Sequence, residues 1–434
     1  MTKDNMALYM RVLELFRRTS WRMFSSSSSS GVRLRILPSS SCFFDESVQI
    51  KVSGLSPGEH VELQAKHKDD KGVVFKASAT YQADGQGDVD LNHHPSRGGS
   101  YTGVEPMGLF WSMMPESPHK KLLKKDASGP VLVHIEAHRD GQILSQETNE
   151  RRFMADGMKR VPVNEGRLRG TLFIPPGQPV PGIIDLYTLG GSICEPRAAL
   201  LANKGFVVFA LAFYGYQDMP KTVDTLHLEY FEEGLKFLQE QPKVKKSGIG
   251  IISISKSGDL ALSMASFLPN IAATVCINTC NANVMFPLHY KNTVIPGFVG
   301  NIKRIKVTKS GILNIRDILN DPMEKEETRA TVIPIERAGC RFLFIVSGDD
   351  RNWNSAFFAE QACSRLAAHG KANYDLVTYP TAGHFMEVPY MPHHPSGLHA
   401  AVNQVVAFGG DPKAHAHAQV DAWTKVQVFF KSNL

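Results

Sequence analysis

The chain has 434 residues, 43% of them hydrophobic and 21% charged, which is enough for two domains with cores of their own. Its formal net charge of +6 is modest for that length and the basic residues are dispersed, so no nucleic-acid surface is expected, while a small polyanionic ligand is compatible. Six cysteines (Cys42, Cys194, Cys276, Cys280, Cys340 and Cys363) lie far apart with no CxxC pair, which argues against a zinc site or a disulfide framework and points to a reducing compartment.

Residues 1–38 differ in composition from the rest of the chain. They carry Arg11, Arg17, Arg18, Arg22, Arg33 and Arg35 against only Asp4 and Glu14, with a serine run from Ser25 to Ser30. Arg-rich, Ser-rich and acid-poor is the composition of a mitochondrial transit peptide, so a leader over 1–38 directing the chain to the mitochondrial matrix is expected. The alternative is a tail without an address. The C-terminal Ser432-Asn433-Leu434 loosely matches a peroxisomal signal, which keeps a peroxisomal location, or a cytosolic one, as alternatives. No apolar run approaches the length of a transmembrane helix.

From Ser47 the pattern has a period of two. Val48, Ile50 and Val52 alternate with polar residues, "SGLSPGE" turns the chain, and Val61, Leu63 and Ala65 alternate again. "GVVFKASATYQAD" and "VLVHIEAHRDG" continue in kind. Short strands between Gly/Pro/Asp turns, without a convincing helix, predict an N-terminal antiparallel β-sandwich over 39–163. Lys120, Lys121, Lys124 and Lys125 in "HKKLLKKD" read as a solvated loop face rather than a phosphate contact.

After "RGTLFIPPGQPVPG" strands alternate with helices. "GIIDLY", "FVVFALAFY", "GIGII", "ATVCINT", "RFLFIVSG" and "YDLVTYP" are near-continuous apolar strands. Between them lie amphipathic helices, one with Leu228, Phe231, Leu235 and Leu238 on a face, another running from Ser355 to a C-cap at Gly370. This predicts a second, α/β domain over 164–434 with a mostly parallel sheet covered on both faces.

The third of these strands runs into "SISKSGDLALS". A nucleophile elbow requires small residues two before and two after the nucleophile, because backbone and helix crowd there. Ser253 as nucleophile would place Ile251 at the first crowded position, and Ser257 would place Asp259 at the second. Only Ser255 has small neighbours at both, Ser253 and Ser257, with Gly258 next to let the helix pack closely. Strand-to-helix turns often contain serine without any chemistry, so the partners matter. The strand "RFLFIVSG" leads into Asp349 and Asp350, and "YDLVTYP" leads into His384. Both lie at carboxyl ends of strands, where the crevice of an open α/β sheet opens, and in the chain order nucleophile, acid, histidine of an α/β-hydrolase triad. One of the two aspartates is expected to be a turn or capping residue. The loop Thr188 to Ser192, with Gly190, and the backbone N–H of Lys256 are the candidates for an oxyanion hole. His393, His394, His399, His415 and His417 lack a carboxylate or cysteine at supporting spacing, so they read as packed or solvent-facing side chains rather than metal ligands. Gly248 and Gly250 lack the third glycine of a dinucleotide site.

Several longer stretches, "EPMGLFWSM", "RGTLFIPP", "LEYFEEGLKFL", "SISKSGDLALSMASFLPNI", "IKRIKVTKSG", "DDRNW", "TAGHFMEVPYMP" and "GGDPKAHAHAQVDAW", resemble in order the acyl-CoA thioesterases of the α/β-hydrolase type, grouped with the bile acid-CoA:amino acid N-acyltransferases. The resemblance covers nearly everything after the leader. It implies a β-sandwich followed by an α/β-hydrolase domain, a nucleophile at Ser255, an acid at Asp350 rather than Asp349, and a histidine at His384. It further implies a fatty acyl-CoA substrate, hydrolysis through an acyl-serine within fatty acid metabolism, and no metal or organic cofactor. The amino-acid-conjugating branch carries cysteine at the nucleophile position. Serine at 255 therefore points to water as the acceptor, with transfer to glycine or taurine as the alternative. Ser253 and Ser257 stand where the family usually has glycine.

Overall fold

The computed structural model describes residues 31–434 except 125, 188–191 and 400, so most of the expected leader and the loop carrying Gly190 lie outside the described residues. Arg33–Leu37, inside the stretch whose composition suggested a leader, is a strand paired antiparallel with Gln49–Ser53. Leu34 and Ile36 alternate inward with exposed arginines on the other face. The folded region thus begins by Arg33. Composition alone does not distinguish arginines on the wet face of an edge strand from arginines in a signal.

A three-stranded and a seven-stranded sheet make up the N-terminal region. Val131–Arg139 is typical of it: Val131, Val133, Ile135 and Ala137 are buried, with Leu132 and His134 exposed on the other face. Leu34, Ile36, Ile50 and Val52 of the smaller sheet share a core with Leu63, Ala65, Val133 and Ile135 of the larger. That is the sandwich the period of two predicts. One four-residue helix, Gly108–Trp111, interrupts it, buried throughout and holding Trp111 beneath Tyr101 at 5.6 Å.

The second region is built on an eight-stranded sheet. Its strands, in spatial order, are Lys159–Glu165, Leu168–Ile174, Val207–Leu211, Val180–Leu186, Val244–Ile254, Ile271–Ile277, Arg341–Ser347 and Tyr374–Tyr379. The first two join antiparallel and the last six run parallel. The inner strands are apolar on both faces because helices cover both: Leu228–Glu240 and Ser257–Phe267 on one side, Glu195–Ala202 and Pro412–Asn433 on the other, while Ser355–Ala368 closes the far end. Together the two regions form an α/β fold with a C-terminal α/β-hydrolase domain behind an antiparallel sandwich. Between Ile277 and Arg341 the chain leaves the sheet, and its short strands at Lys306–Val307 and Leu313–Asn314 join Ser396–His399 and Gln404–Ala407 in a small separate sheet over the carboxyl ends of the main strands.

Candidate active site

The strand Val244–Ile254 ends one residue before Ser255, and the helix Ser257–Phe267 begins two residues after it. So sharp a turn needs a left-handed residue, and Ser255 has φ +62°, a conformation that disfavours a non-glycine side chain. Its amide donates to the Ile277 carbonyl at 2.9 Å, and the Gly258 amide closes the turn onto the Ser255 carbonyl at 2.9 Å. Ser253 and Ser257 are fully buried on either side. The Ser253 hydroxyl donates to the Val275 carbonyl at 2.9 Å. That of Ser257 lies 2.9 Å from the Leu186 carbonyl and 3.0 Å from that of Ile254, and accepts from the Ile254 amide at 3.1 Å. The oxygens that replace the family's glycines are therefore absorbed by backbone partners. At Gly258, a Cβ would fall 1.8 Å from Thr279 Oγ1, so the helix can sit this close to its neighbour only because nothing is there.

His384 faces Ser255 from the loop after Tyr374–Tyr379. Its Nε2 is 2.8 Å from Ser255 Oγ and its Nδ1 is 2.7 Å from Asp350 Oδ2. Asp350 is wholly buried and also accepts from the Asn352 amide (2.8 Å), the Trp353 amide (3.2 Å) and the Ser355 hydroxyl (2.5 Å). A carboxylate surrounded by donors stays an acceptor, so His384 carries its proton on Nδ1 and offers the Nε2 lone pair to Ser255. The His384 amide donates to the Phe408 carbonyl at 2.8 Å, and its own carbonyl accepts from Asn278 Nδ2 at 2.7 Å. Asp349 turns the other way, accepting from the Gly410 amide at 2.9 Å and pairing with Arg351 at 2.5 Å. Both aspartates thus have partners, and only Asp350 reaches the histidine.

Lys256, next to Ser255, buries its ammonium against Asp259 at 2.8 and 2.9 Å, and Asp259 also accepts the Val284 amide at 2.8 Å. Burial raises the Asp259 carboxyl above its ordinary range, opposed by the Lys256 charge. This pins the elbow to Val284, one wall of a cavity of about 80 Å³ that opens from Ser255. Its other walls include Met285, Phe298, Ile315, Ile318, Leu319, Trp353 and Val402, apolar almost throughout, with Lys256 and Asn352 also lining it. Of the two oxyanion candidates, Lys256 is at the elbow as expected and Gly190 lies outside the described residues.

Lys121 departs from the solvated face expected of its run. Its ammonium bonds both the Tyr187 hydroxyl and Glu387 Oε1, which also accepts from Tyr187, while Lys124 pairs with Asp70 at 3.4 Å. Lys125 lies outside the described residues. Burial pushes the Glu387 carboxyl up, but the Lys121 charge and the Lys121 and Tyr187 hydrogen bonds outweigh it and hold the carboxyl below its usual range. Behind them Arg197 forks onto Asp185 at 2.5 and 3.0 Å, both fully buried. Sequence reasoning missed Lys121, Tyr187, Glu387, Asn278 and Ser355 as parts of the site's frame, because none has a neighbour in the chain that announces a partner. The histidines weighed as ligands are scattered: His399 lines the cavity, His417 meets Glu105 at 2.9 Å, and His393 packs its ring on His415 at 4.5 Å.

Residues 226–434 match the family model described as BAAT / Acyl-CoA thioester hydrolase C terminal, and residues 45–165 match that described as Acyl-CoA thioester hydrolase/BAAT N-terminal region. Human acyl-coenzyme A thioesterase 2, mitochondrial, is 48% identical over 403 residues, covering 92% of this chain and 83% of that one. Human acyl-coenzyme A thioesterase 1 is also 48% identical, over 92% of this chain and 96% of its own. Among solved structures, the Pyrococcus horikoshii acylaminoacyl peptidase aligns at 14% identity and a TM-score of 0.44 over 89% of this chain and 59% of that one, too slight a likeness to carry any argument. With both domains matched and nearly half its residues shared with these relatives, the chain belongs to the acyl-CoA thioester hydrolase/BAAT family and is an enzyme of the thioester-hydrolase class.

Proposed function

We propose that this enzyme hydrolyses fatty acyl-CoA to free fatty acid and CoA, with Ser255 as nucleophile, His384 as general base and acid, and Asp350 as the group that orients His384. The observation that carries the reading is the unbroken chain of hydrogen bonds from Asp350 through His384 to a left-handed Ser255. His384 Nε2 takes the hydroxyl proton as Oγ bonds to the thioester carbonyl carbon. The resulting imidazolium is held against Asp350, and the oxyanion forms toward the Lys256 N–H. The C–S bond then breaks. CoA leaves as a thiolate that takes the proton from His384, leaving an acyl-serine. Water delivers a proton to Nε2 as its oxygen attacks the ester, and collapse releases the fatty acid while the proton returns to Ser255. The apolar walls from Val284 to Val402 suit the acyl chain.

Serine rather than cysteine at 255 favours water over an amine as acceptor, since an ester is a poorer target for amines than a thioester. Release of free thiol from a chain-length series of acyl-CoAs, repeated with glycine or taurine present, tests both points. Turnover without conjugate is expected, and conjugate in place of acid would reverse the assignment. Ser255→Ala is expected to lower turnover by at least about 10⁴-fold with the fold intact. Retention of full activity would remove Ser255 from the mechanism. We also assign the protein to the mitochondrial matrix, on the Arg- and Ser-rich composition of the residues before Arg33. Imaging of chains tagged at one end or the other tests this, and a peroxisomal signal that depends on Leu434 would overturn it.

A further inference from the structure

The helix Pro412–Asn433 contributes nothing to the triad, yet its first turn reaches the loop that carries His384. Asp411 caps it, its side chain accepting the Ala414 amide at 2.9 Å, and Pro412 starts it. That start aims His415 inward, 2% exposed. His415 Nδ1 accepts the Gly383 amide at 3.0 Å, and its Nε2 stands 3.1 Å from the Phe385 carbonyl. One imidazole therefore holds the backbone on the residue before His384 and on the residue after it.

The two bonds make opposite demands. Nδ1 must present a lone pair and Nε2 a proton, which only one tautomer of the neutral ring satisfies. Burial, reinforced by the facing His393 ring, pushes the His415 imidazole down to about 3, so the ring stays neutral at physiological pH. The surroundings are equally tight. A Cβ on Gly383 would meet the Gly409 carbonyl at 2.2 Å, and one on Gly410 would meet the Gly383 nitrogen at 2.7 Å. The two loops are docked backbone to backbone, with His415 at the seam.

We propose that His415 is a positioning residue for His384, fixing the flanking peptide groups so that the imidazole keeps its aim on Ser255. The inference rests on the reading of His384 as general base. The need is greatest in mid-reaction: once Ser255 is acylated its hydroxyl no longer bonds His384, whose Nε2 faces first the leaving thiolate, to which it gives its proton, and then the incoming water, from which it takes one. Asp350, the flanking backbone and the packed rings of Trp353, Phe385 and Phe408 then hold the imidazole.

The test compares His415→Phe, which keeps a ring but neither bond, with His415→Gln, whose amide can accept from Gly383 and donate to Phe385. Each is made in the full chain and assayed by thiol release from palmitoyl-CoA and by the rate at which a fluorophosphonate labels Ser255. His415→Phe is expected to lower kcat by about 10- to 100-fold, the scale of a misplacement of roughly 1 Å, with KM nearly unchanged and labelling slowed in parallel. His415→Gln is expected to regain most of the loss. A folded His415→Phe with wild-type kcat, a change confined to KM, or a glutamine no better than phenylalanine would each overturn the inference. Where His415→Phe does not fold, amide exchange in the wild type decides. Protection of residues 382–386 equal to that of the strand Arg341–Ser347 supports the clamp, and exchange at the rate of exposed loops overturns it. His384→Ala serves as the control: full activity there would fell the proposed mechanism itself, whereas loss there with none in His415→Phe fells only the clamp.

Discussion

Asp349 and Asp350 are chemically identical neighbours, and the difference between them is one of direction. Asp350 points into a pocket of donors and meets His384 Nδ1, while Asp349 points at Gly410 and Arg351. Asp350→Asn preserves the shape but offers an N–H or a weaker acceptor to Nδ1, which favours the wrong imidazole tautomer. Turnover is expected to fall about 10⁴-fold, while Asp349→Asn is expected to stay within a few-fold, both read as kcat/KM for thiol release. Ser257 and Gly258 make the elbow's other demands visible. Gly258→Ala drives a methyl into Thr279 and is expected to cost about 1–3 kcal/mol in denaturant unfolding, as overpacking does. It is also expected to lower kcat, because the helix it displaces begins two residues after Ser255. The steric rule that singles out Ser255 is readable from sequence because it concerns residues two apart. What satisfies the Ser253 and Ser257 hydroxyls is not, since their partners Val275 and Leu186 belong to neighbouring strands.

The elements around the site are tied together by buried charge. Lys121 comes from the sandwich, Tyr187 from the end of a central strand, and Glu387 from three residues beyond His384. Lys121→Met would leave Glu387, 5% exposed at its side chain, with the Tyr187 hydroxyl and the Arg197 charge but without its ion-pair partner. A destabilisation of about 2–4 kcal/mol is expected from the stranded carboxylate, less than for a pair buried on both sides because Lys121 is partly wet. The pH dependence has a definite sign. The folded-state value of Glu387 is depressed, so its contribution is fully present above the unfolded value near pH 4.3 and fades as the pH falls through the folded one. The melting-temperature gap between wild type and Lys121→Met is therefore expected to be widest above about pH 4.3 and to narrow in more acidic buffer. A gap that widened in acid would contradict the pairing. The lysine run looked like a solvated face because charge density along the chain carries no information on which member of a run turns inward.

Across the whole molecule, the sandwich and the α/β region share one hydrophobic cluster that runs from Val32 to Phe430. Polar contacts cross the same boundary: Trp423 Nε1 and Lys204 Nζ both reach Asp45, at 2.8 and 2.7 Å, and Lys413 reaches Glu105 at 2.7 Å. Two bodies joined by a continuous apolar core unfold together. A single calorimetric transition is expected for the full chain, and a fragment starting at Lys159 is expected to aggregate because it would expose the face that the sandwich covers. Two separated transitions would show the regions to be energetically independent.

Taken alone, the amino-acid sequence determined the two-part organisation, the main strands of both regions and the helices between the parallel strands, though not the strand Arg33–Leu37 or the helix Pro412–Asn433, because periodicity is a local consequence of which face of an element is wet. Local rules also singled out Ser255, through the size of its neighbours, and placed two aspartates and His384 after strand ends. The choice between Asp349 and Asp350 came from a resemblance to known proteins rather than from spacing. The tertiary structure alone decided that Arg33–Leu37 is a strand of the sandwich, that Lys121 is a half-buried partner of a buried carboxylate, and that His415 is a seam between two loops. Each of these depends on contacts between residues far apart in the chain: Gly383 and His415 are 32 positions apart, and Lys121 and Glu387 are 266 apart. A buried polar side chain is defined by what it faces, and what it faces is set only when the chain has folded.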